Sequence, residues 1–222
     1  SVMTTMRQAE GSAVGFDKKK KGARSYYPLF CTVSQTGQFL DLHHRPGNDH
    51  DSNGAPEFAK ACVTKARSVL PGAVVEARFD CAFFSEEMLG GLADDRVEFT
   101  ASVPFERFPE LKKIIEQRGR WRWIDDIWSY FETNWKPKKW GRRFRFIVIR
   151  QVVKEQVKGP VQLHLFEPRS YKYDYKVIVT NKRPKAKKIL LYHNGRGAQE
   201  KIFAEAKSYA QLEYVPVRRL YG

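Results

Sequence analysis

The stretch AVVEARFDCAFFSEEMLGGLADDRVEFTASV, residues 73–103, decides the fold. Ala73 to Asp80 carries apolar and polar side chains in the alternation of a strand, and Pro71-Gly72 just before it stops any preceding helix. Ser85 to Leu92 reads as a short helix with Ser85 as its N-cap, and Val97 to Val103 returns to a strand pattern. Strand, helix and strand in immediate succession belong to a sheet with helices packed on it rather than to a bundle or a sandwich.

Working outward toward the N-terminus, Glu57 to Leu70 places Phe58, Ala61, Cys62 and Ala66 near helical spacing. The turn-forming cluster Arg45 to Pro56 (RPGNDHDSNGAP) feeds it. Before that, Tyr26 to Val33 and Gln38 to His44 are β-rich runs joined by Ser34-Gln35-Thr36-Gly37, the signature of an antiparallel hairpin. Beyond Pro104 the texture changes. All five tryptophans, at 121, 123, 128, 135 and 140, fall together and are followed by β-patterned Arg143 to Val153 and Tyr171 to Thr180. Helical patterns return at Lys185 to Leu191 and Arg196 to Leu212. The expected fold is α/β, a mixed sheet with flanking helices. Its core halves would be residues 1–104 and 176–222, interrupted by a β-rich insertion over 105–175.

With 222 residues, 42% hydrophobic and 14% aromatic, the chain buries enough surface to fold despite 29% charged residues. Forty Lys and Arg against twenty-five Asp and Glu give a formal charge of +15, which points to a polyanion, nucleic acid before anionic membrane. No apolar run approaches the roughly eighteen residues of a membrane span, and Ser1 to Gln8 lacks a secretory apolar stretch, so an intracellular protein is expected. Cys31, Cys62 and Cys81 are too few and scattered for a disulfide framework or thiolate zinc site and read as buried thiols. Gly11 to Gly15 and Gly195 to Gly197 lack phosphate-loop spacing, which excludes the common nucleotide-binding classes. His43, His44 and His50 read as loop histidines rather than zinc ligands.

Three sets of residues stand out chemically. Asp80 ends its strand where α/β sheets present side chains to ligands, although a strand-end Asp is more often a turn former or cap. Glu200, with Arg196 four residues before and Lys207 seven after, falls on one face of the expected helix. The rival reading is a solvated charged face, but Arg preceding Glu is the weaker orientation for helix pairing. Lys136, Lys138, Lys139, Arg142, Arg143 and Arg145 place six cations in ten residues, interleaved with Trp140, Phe144 and Phe146. On a strand Arg143 and Arg145 would face one way and Phe144 and Phe146 the other, so this is either a DNA-facing surface or an edge strand blunted by charge. The tryptophans read as insertion core rather than a stacking platform. Lys18 to Lys21 read as a solvated loop in reach of backbone phosphate.

The chain resembles the DDE transposases of bacterial insertion sequences, in the group with a Tyr-Arg-Glu-Lys signature. Gln8-Ala-Glu10-Gly11 to Gly15, Ser25 to Leu29, Arg45-Pro46-Gly47-Asn48 and Ser52-Asn53-Gly54 are similar to the family's opening half. Phe79-Asp80 to Phe83-Phe84-Ser85-Glu86-Glu87 is similar to the block around its second catalytic Asp. Val177 to Thr180-Asn181, Tyr192, Arg196, Glu200 and Lys207 are similar to its third block. Three residues rather than two separate Tyr192 from Arg196. The family's first catalytic Asp has no counterpart in Ser1 to Glu10, and Asp17 beside Lys18 to Lys21 lies in the wrong context. The chain is therefore expected to start inside or just after the first strand, as a fragment or truncated frame.

The resemblance implies a ribonuclease-H-like core with a β-rich insertion. It also implies metal-dependent cleavage and strand transfer at insertion-sequence ends, in a bacterial, cytoplasmic and nucleoid-associated setting. Asp80 and Glu200 would be catalytic and bind Mg²⁺ or Mn²⁺, since hard ions need oxygen ligands and a metal pair roughly 3.5–4 Å apart serves both attacking and leaving oxygens. Tyr192, Arg196 and Lys207 would hold substrate phosphates. The implied partner is double-stranded DNA, the inverted-repeat ends of the protein's own element, bound by a homodimer on paired ends. A catalytically inactive DNA-binding remnant and a ribonuclease-H-like nuclease are the alternatives.

Overall fold

A computed structural model describes residues 3–4, 9–15, 21–50, 52–153 and 173–209. The expectations placed on Asp17, Lys18 to Lys20, residues 154–172 and residues 210–222 lie outside the described residues. The chain divides into two compact units, residues 1–75, 94–97 and 194–222 in one and 76–93 and 98–193 in the other. No helix among the described residues is long and apolar enough to cross a membrane.

The first unit opens with β1 (Met3–Thr4), β2 (Ala13–Val14) and β3 (Arg24–Tyr26), an antiparallel sheet in the order β1-β3-β2. The expected hairpin follows as β4 (Leu29–Val33) and β5 (Gln38–His43). Its turn closes on Gly37, whose φ of 72° suits glycine and whose N–H donates to the Val33 carbonyl at 2.8 Å. The expected helix is α1 (Ala55–Val69), launched from Gly54 with proline in its first turn, and it packs on the hairpin through a face that includes buried Cys62 and Val63. Of the three cysteines expected to be buried, only Cys62 is: Cys31 is half-buried and Cys81, in a surface turn, is exposed.

The turn-rich segment between hairpin and helix is organised by a buried arginine. Arg45 is 2% exposed and donates to the carbonyls of Tyr27 (3.1 Å), His50 (3.0 Å) and Asn53 (2.7 Å). Next to it, a side chain on Gly47 would meet Ser25 O at 2.6 Å and Ala13 O at 2.7 Å, both backbone atoms that cannot swing aside. Gly47→Ala should therefore overpack this corner and cost about 1–3 kcal/mol in urea unfolding. An unchanged midpoint would mean that the strands separate at little cost.

The second unit contains β6 (Glu76–Phe79), α2 (Glu86–Asp94), β7 (Glu98–Ser102), α3 (Pro109–Glu116), β8 (Arg122–Trp123), β9 (Trp128–Trp135), β10 (Phe144–Val152), β11 (Tyr173–Thr180) and α4 (Ala186–Asn194). Ser85 caps α2 as expected, its Oγ accepting from the Met88 N–H at 3.2 Å. The strands form one sheet in the order β6-β7-β11-β10-β9-β8, with β6 and β7 parallel and every other pair antiparallel.

β8, β9 and β10, all from the β-rich stretch within 105–175, extend one side of this sheet and join β7 through β11. β10 is buried on both faces, which accounts for the continuous apolar run Phe146 to Ile149. Ile147 and Ile149 join Ile178 and α4 residues Ala186, Ile189 and Leu190 on one side. Phe146 meets Trp135 (5.1 Å) and Phe84 (6.3 Å) on the other, and Phe84 stacks on Trp140 at 4.8 Å. Of the tryptophans, Trp135 is buried in the core, Trp121, Trp128 and Trp140 are half-buried, and Trp123 is 59% exposed.

The last described helix, α5 (Ala198–Tyr209), belongs to the first unit, where Phe203 packs edge-on against Phe30 at 5.1 Å. It begins later than the pattern from Arg196 suggested, because Gly195–Gly197 form a separate 3₁₀ turn.

Candidate functional site

Asp80 stands immediately after β6, at the sheet end where the sequence placed it, and belongs to the second unit. It caps the 3₁₀ turn Cys81–Phe83, its Oδ1 accepting from the Ala82 N–H at 2.9 Å. The cap and the ligand readings are therefore compatible, since a carboxylate has about four lone-pair sites.

Glu200 is exposed in the first turn of α5 and belongs to the first unit. Lys207, half-buried seven residues on, lies within about 20° of it around the helix axis. Arg196 does not share that face as a helical neighbour. It sits in the 3₁₀ turn before the helix, where spacing at 100° per residue does not apply, and its side chain lies outside the described residues.

Tyr192, near the end of α4, lies in a charged cluster of the second unit that the sequence did not reveal. Parallel pairing sets Glu76 of β6 beside Glu98 of β7, an arrangement of like charges that is unfavourable unless a cation intervenes. Lys182, just beyond β11 and 5% exposed, supplies it, donating to the Glu76 carboxylate and to Glu98 Oε2 at 2.5 Å. The ammonium also lies 4.6 Å from the Tyr192 ring centroid, and the Arg78 guanidinium lies 4.9 Å from it. Arg78 donates to the Tyr192 carbonyl at 2.9 Å. Burial, then the Glu76 carboxylate, pushes the Tyr192 hydroxyl up to about 12, against the pull of Arg78 and Lys182. The next residue, buried His193, bonds Ser102 Oγ and Thr100 Oγ1 of β7, each at 2.9 Å, and so pins the end of α4 to the sheet.

Burial lowers the affinity of Lys182 for its proton, but the bonds to Glu76 and Glu98 outweigh it and hold the ammonium above its ordinary value of 10.5. A raised folded-state value contributes stability that is complete below the unfolded value and fades as pH climbs through the folded one. Wild-type protein should therefore lose melting temperature above about pH 10.5 faster than a Glu76→Gln/Glu98→Gln/Lys182→Met variant; parallel alkaline melting curves would contradict this.

The basic run is less open than its composition suggested. Arg145 Nε pairs with Glu132 at 2.8 Å, and its Nη1 donates to the carbonyls of Lys182 (2.8 Å) and Pro184 (2.9 Å). Lys138 pairs with Glu110 at 2.8 Å, and Lys136 reaches the Gly141 carbonyl at 3.4 Å. Arg142 donates to Gly90 O and Arg143 to Asn134 O, and both residues are exposed, as is Lys139. Arg143 precedes β10, so the alternation holds only from Phe144, buried, through Arg145, half-buried, to Phe146, buried.

The transposase DDE domain group 1 family matches residues 16–221, nearly the whole chain. The chain belongs to that family. The DDE transposases catalyse DNA cleavage and strand transfer and generally use divalent metal ions. No curated protein matches the chain. Among solved structures it is similar to a piggyBac transposase, seen by cryo-EM in a synaptic complex with hairpin DNA. The likeness covers 93% of this chain at 11% identity with a TM-score of 0.49, and the chain spans 39% of that one. Within the DDE domain, Asp80 and Glu200 have the oxygen donors that hard divalent ions require. Among the described residues, no three Asp, Glu, His or Cys side chains gather into a metal-binding group.

Proposed function

We propose that this chain is a catalytic-core part of a transposase that cuts and rejoins DNA strands at the inverted-repeat ends of its own element. The reading rests on the family match across residues 16–221, which includes a strand-end Asp80 and a helical Glu200. We assign to these two acids the binding of Mg²⁺, with Mn²⁺ as substitute, and to the chain a ribonuclease-H-like core. The parallel β6–β7 pair leading into Asp80 supports that core. A divalent ion in such a site supplies Lewis acidity at the reacting phosphate.

The chain's own groups have separable tasks. Asp80 and Glu200 provide fixed carboxylates, and Arg196 and Lys207 hold phosphate oxygens, Arg196 as a fork and Lys207 as a point charge. Tyr192, held between Arg78 and Lys182 with a raised hydroxyl value, stays protonated near neutral pH and donates to a phosphate rather than acting as a base. Lys136, Lys138, Lys139, Arg142, Arg143 and Arg145 face the DNA backbone, Arg145 with its Nε paired to Glu132. The protein works as a homodimer on paired ends, in a bacterial cell and in company with the nucleoid.

The test uses the chain, alone and joined to any residues that its reading frame places before it. It is incubated with labelled duplexes from both flanks of its coding sequence in Mg²⁺ or Mn²⁺. Joined products support transposition. Cleavage without joining supports a ribonuclease-H-like nuclease, and binding without cleavage supports an inactive remnant; either result overturns the reading.

A further inference from the structure

Between α3 and β8 the second unit carries a cavity of about 710 Å³, lined by Arg118, Arg120, Arg122 and Arg150 together with Trp121 and Trp123. These arginines lie apart in sequence from the 136–145 run, and none has a carboxylate ion-pair partner among the described residues. Arginine does not shed its charge at any physiological pH, so four guanidinium groups around one cavity repel one another until an anion enters.

The cradle is built rather than incidental. Arg150 lies 4.3 Å from the Trp121 ring centroid and 4.3 Å from that of Tyr173, and its Nε donates to Ser129 Oγ at 2.8 Å. Arg118 lies 4.9 Å from the Phe131 ring centroid, and its carbonyl accepts from Trp121 Nε1 at 2.9 Å. Trp121 itself packs edge-on against Phe131 at 4.8 Å, so it forms the floor. Arg120 and Arg122 are exposed at the mouth, next to the exposed Trp123. Stacked guanidiniums keep their in-plane N–H forks available, and that fork matches phosphate oxygens.

We propose that this arginine cradle is a second phosphodiester-binding site, gripping neighbouring phosphates of a DNA strand independently of the 136–145 run. It rests on the DNA-handling reading above and adds a location to it. A carboxylate ligand would also suit the forks, but the formal charge of +15 and the family favour the polyanion.

Fluorescence anisotropy with a random-sequence duplex, from about 50 to 200 mM salt, compares wild type with Arg120→Gln/Arg122→Gln, Arg120→Lys/Arg122→Lys and Arg142→Gln/Arg143→Gln. The cradle predicts that the first variant flattens the logarithmic salt slope by about 2 and weakens low-salt binding at least about tenfold, while the lysine variant keeps the slope. Iodouracil-substituted DNA crosslinked to wild-type protein should mark the peptide around Arg120 to Trp123, a readout that needs no variant to fold. An unaltered slope in Arg120→Gln/Arg122→Gln, or crosslinks that avoid that peptide, overturns the cradle and leaves the DNA reading standing. No binding by wild type overturns both.

Discussion

Asp80→Asn should lower metal-dependent strand cleavage by at least about 10²-fold while leaving the fold intact. Asparagine keeps an oxygen to accept from the Ala82 N–H, so the 3₁₀ turn stays capped. It removes the negative charge, and a metal site that supplies several kcal/mol loses about tenfold in rate for each 1.4 kcal/mol withdrawn. Asp80→Ala removes cap and charge together and should add about 1 kcal/mol of destabilisation, a typical cap loss. Glu200→Gln should match Asp80→Asn in activity, and because Glu200 is exposed it should leave the melting temperature unchanged. For both substitutions DNA affinity should remain near wild type, since neither removes a cation. Arg142→Glu/Arg143→Glu should do the reverse, weakening binding and flattening the salt slope. Full cleavage by either neutral-isostere variant would remove these acids from the chemistry.

Glu76→Gln/Glu98→Gln should destabilise the second unit by about 2–3 kcal/mol in denaturant unfolding near neutral pH, the larger of the two stability effects anticipated at this cluster. The Lys182 side chain is 5% exposed, and losing both counter-charges strands its ammonium in the interior. Breaking a fully buried pair costs about 3–5 kcal/mol; here the carboxylates are 40% and 44% exposed, so solvent screening trims the figure. Lys182→Met should cost less, because the two glutamates can turn toward water. An equal or reversed ranking would show that repulsion between Glu76 and Glu98, rather than the buried ammonium, dominates the cluster. The same double variant should also disturb Tyr192, whose ring lies against Lys182, so a shift in the Tyr192 titration provides a local check.

Local signals were reliable where the physics is local. Gly37 at a positive φ, Ser85 before an apolar run and the Pro71-Gly72 stop each act within a few residues, and the hairpin, α2 and the end of α1 follow from them. Helical periodicity failed at Arg196 for an equally local reason, two glycines that favour a tight turn over continuation of the helix. The β-rich stretch after Pro104 announced its strands but not their partners. An apolar run such as Phe146 to Ile149 specifies burial on both faces without naming which strands flank it.

By itself the sequence determined the α/β class, the positions of most elements, the excess of positive charge and the family, because alternation, caps, turns and motifs are properties of short segments. Only the tertiary structure decided that β10 lies between β9 and β11 and that Glu76, Glu98 and Lys182 meet beside Tyr192. It also decided that Arg145 pairs with Glu132 while Arg150 joins three arginines around a cavity. These contacts join residues far apart along the chain, and their pairing is set by strand register and packing, which no spacing within a segment encodes.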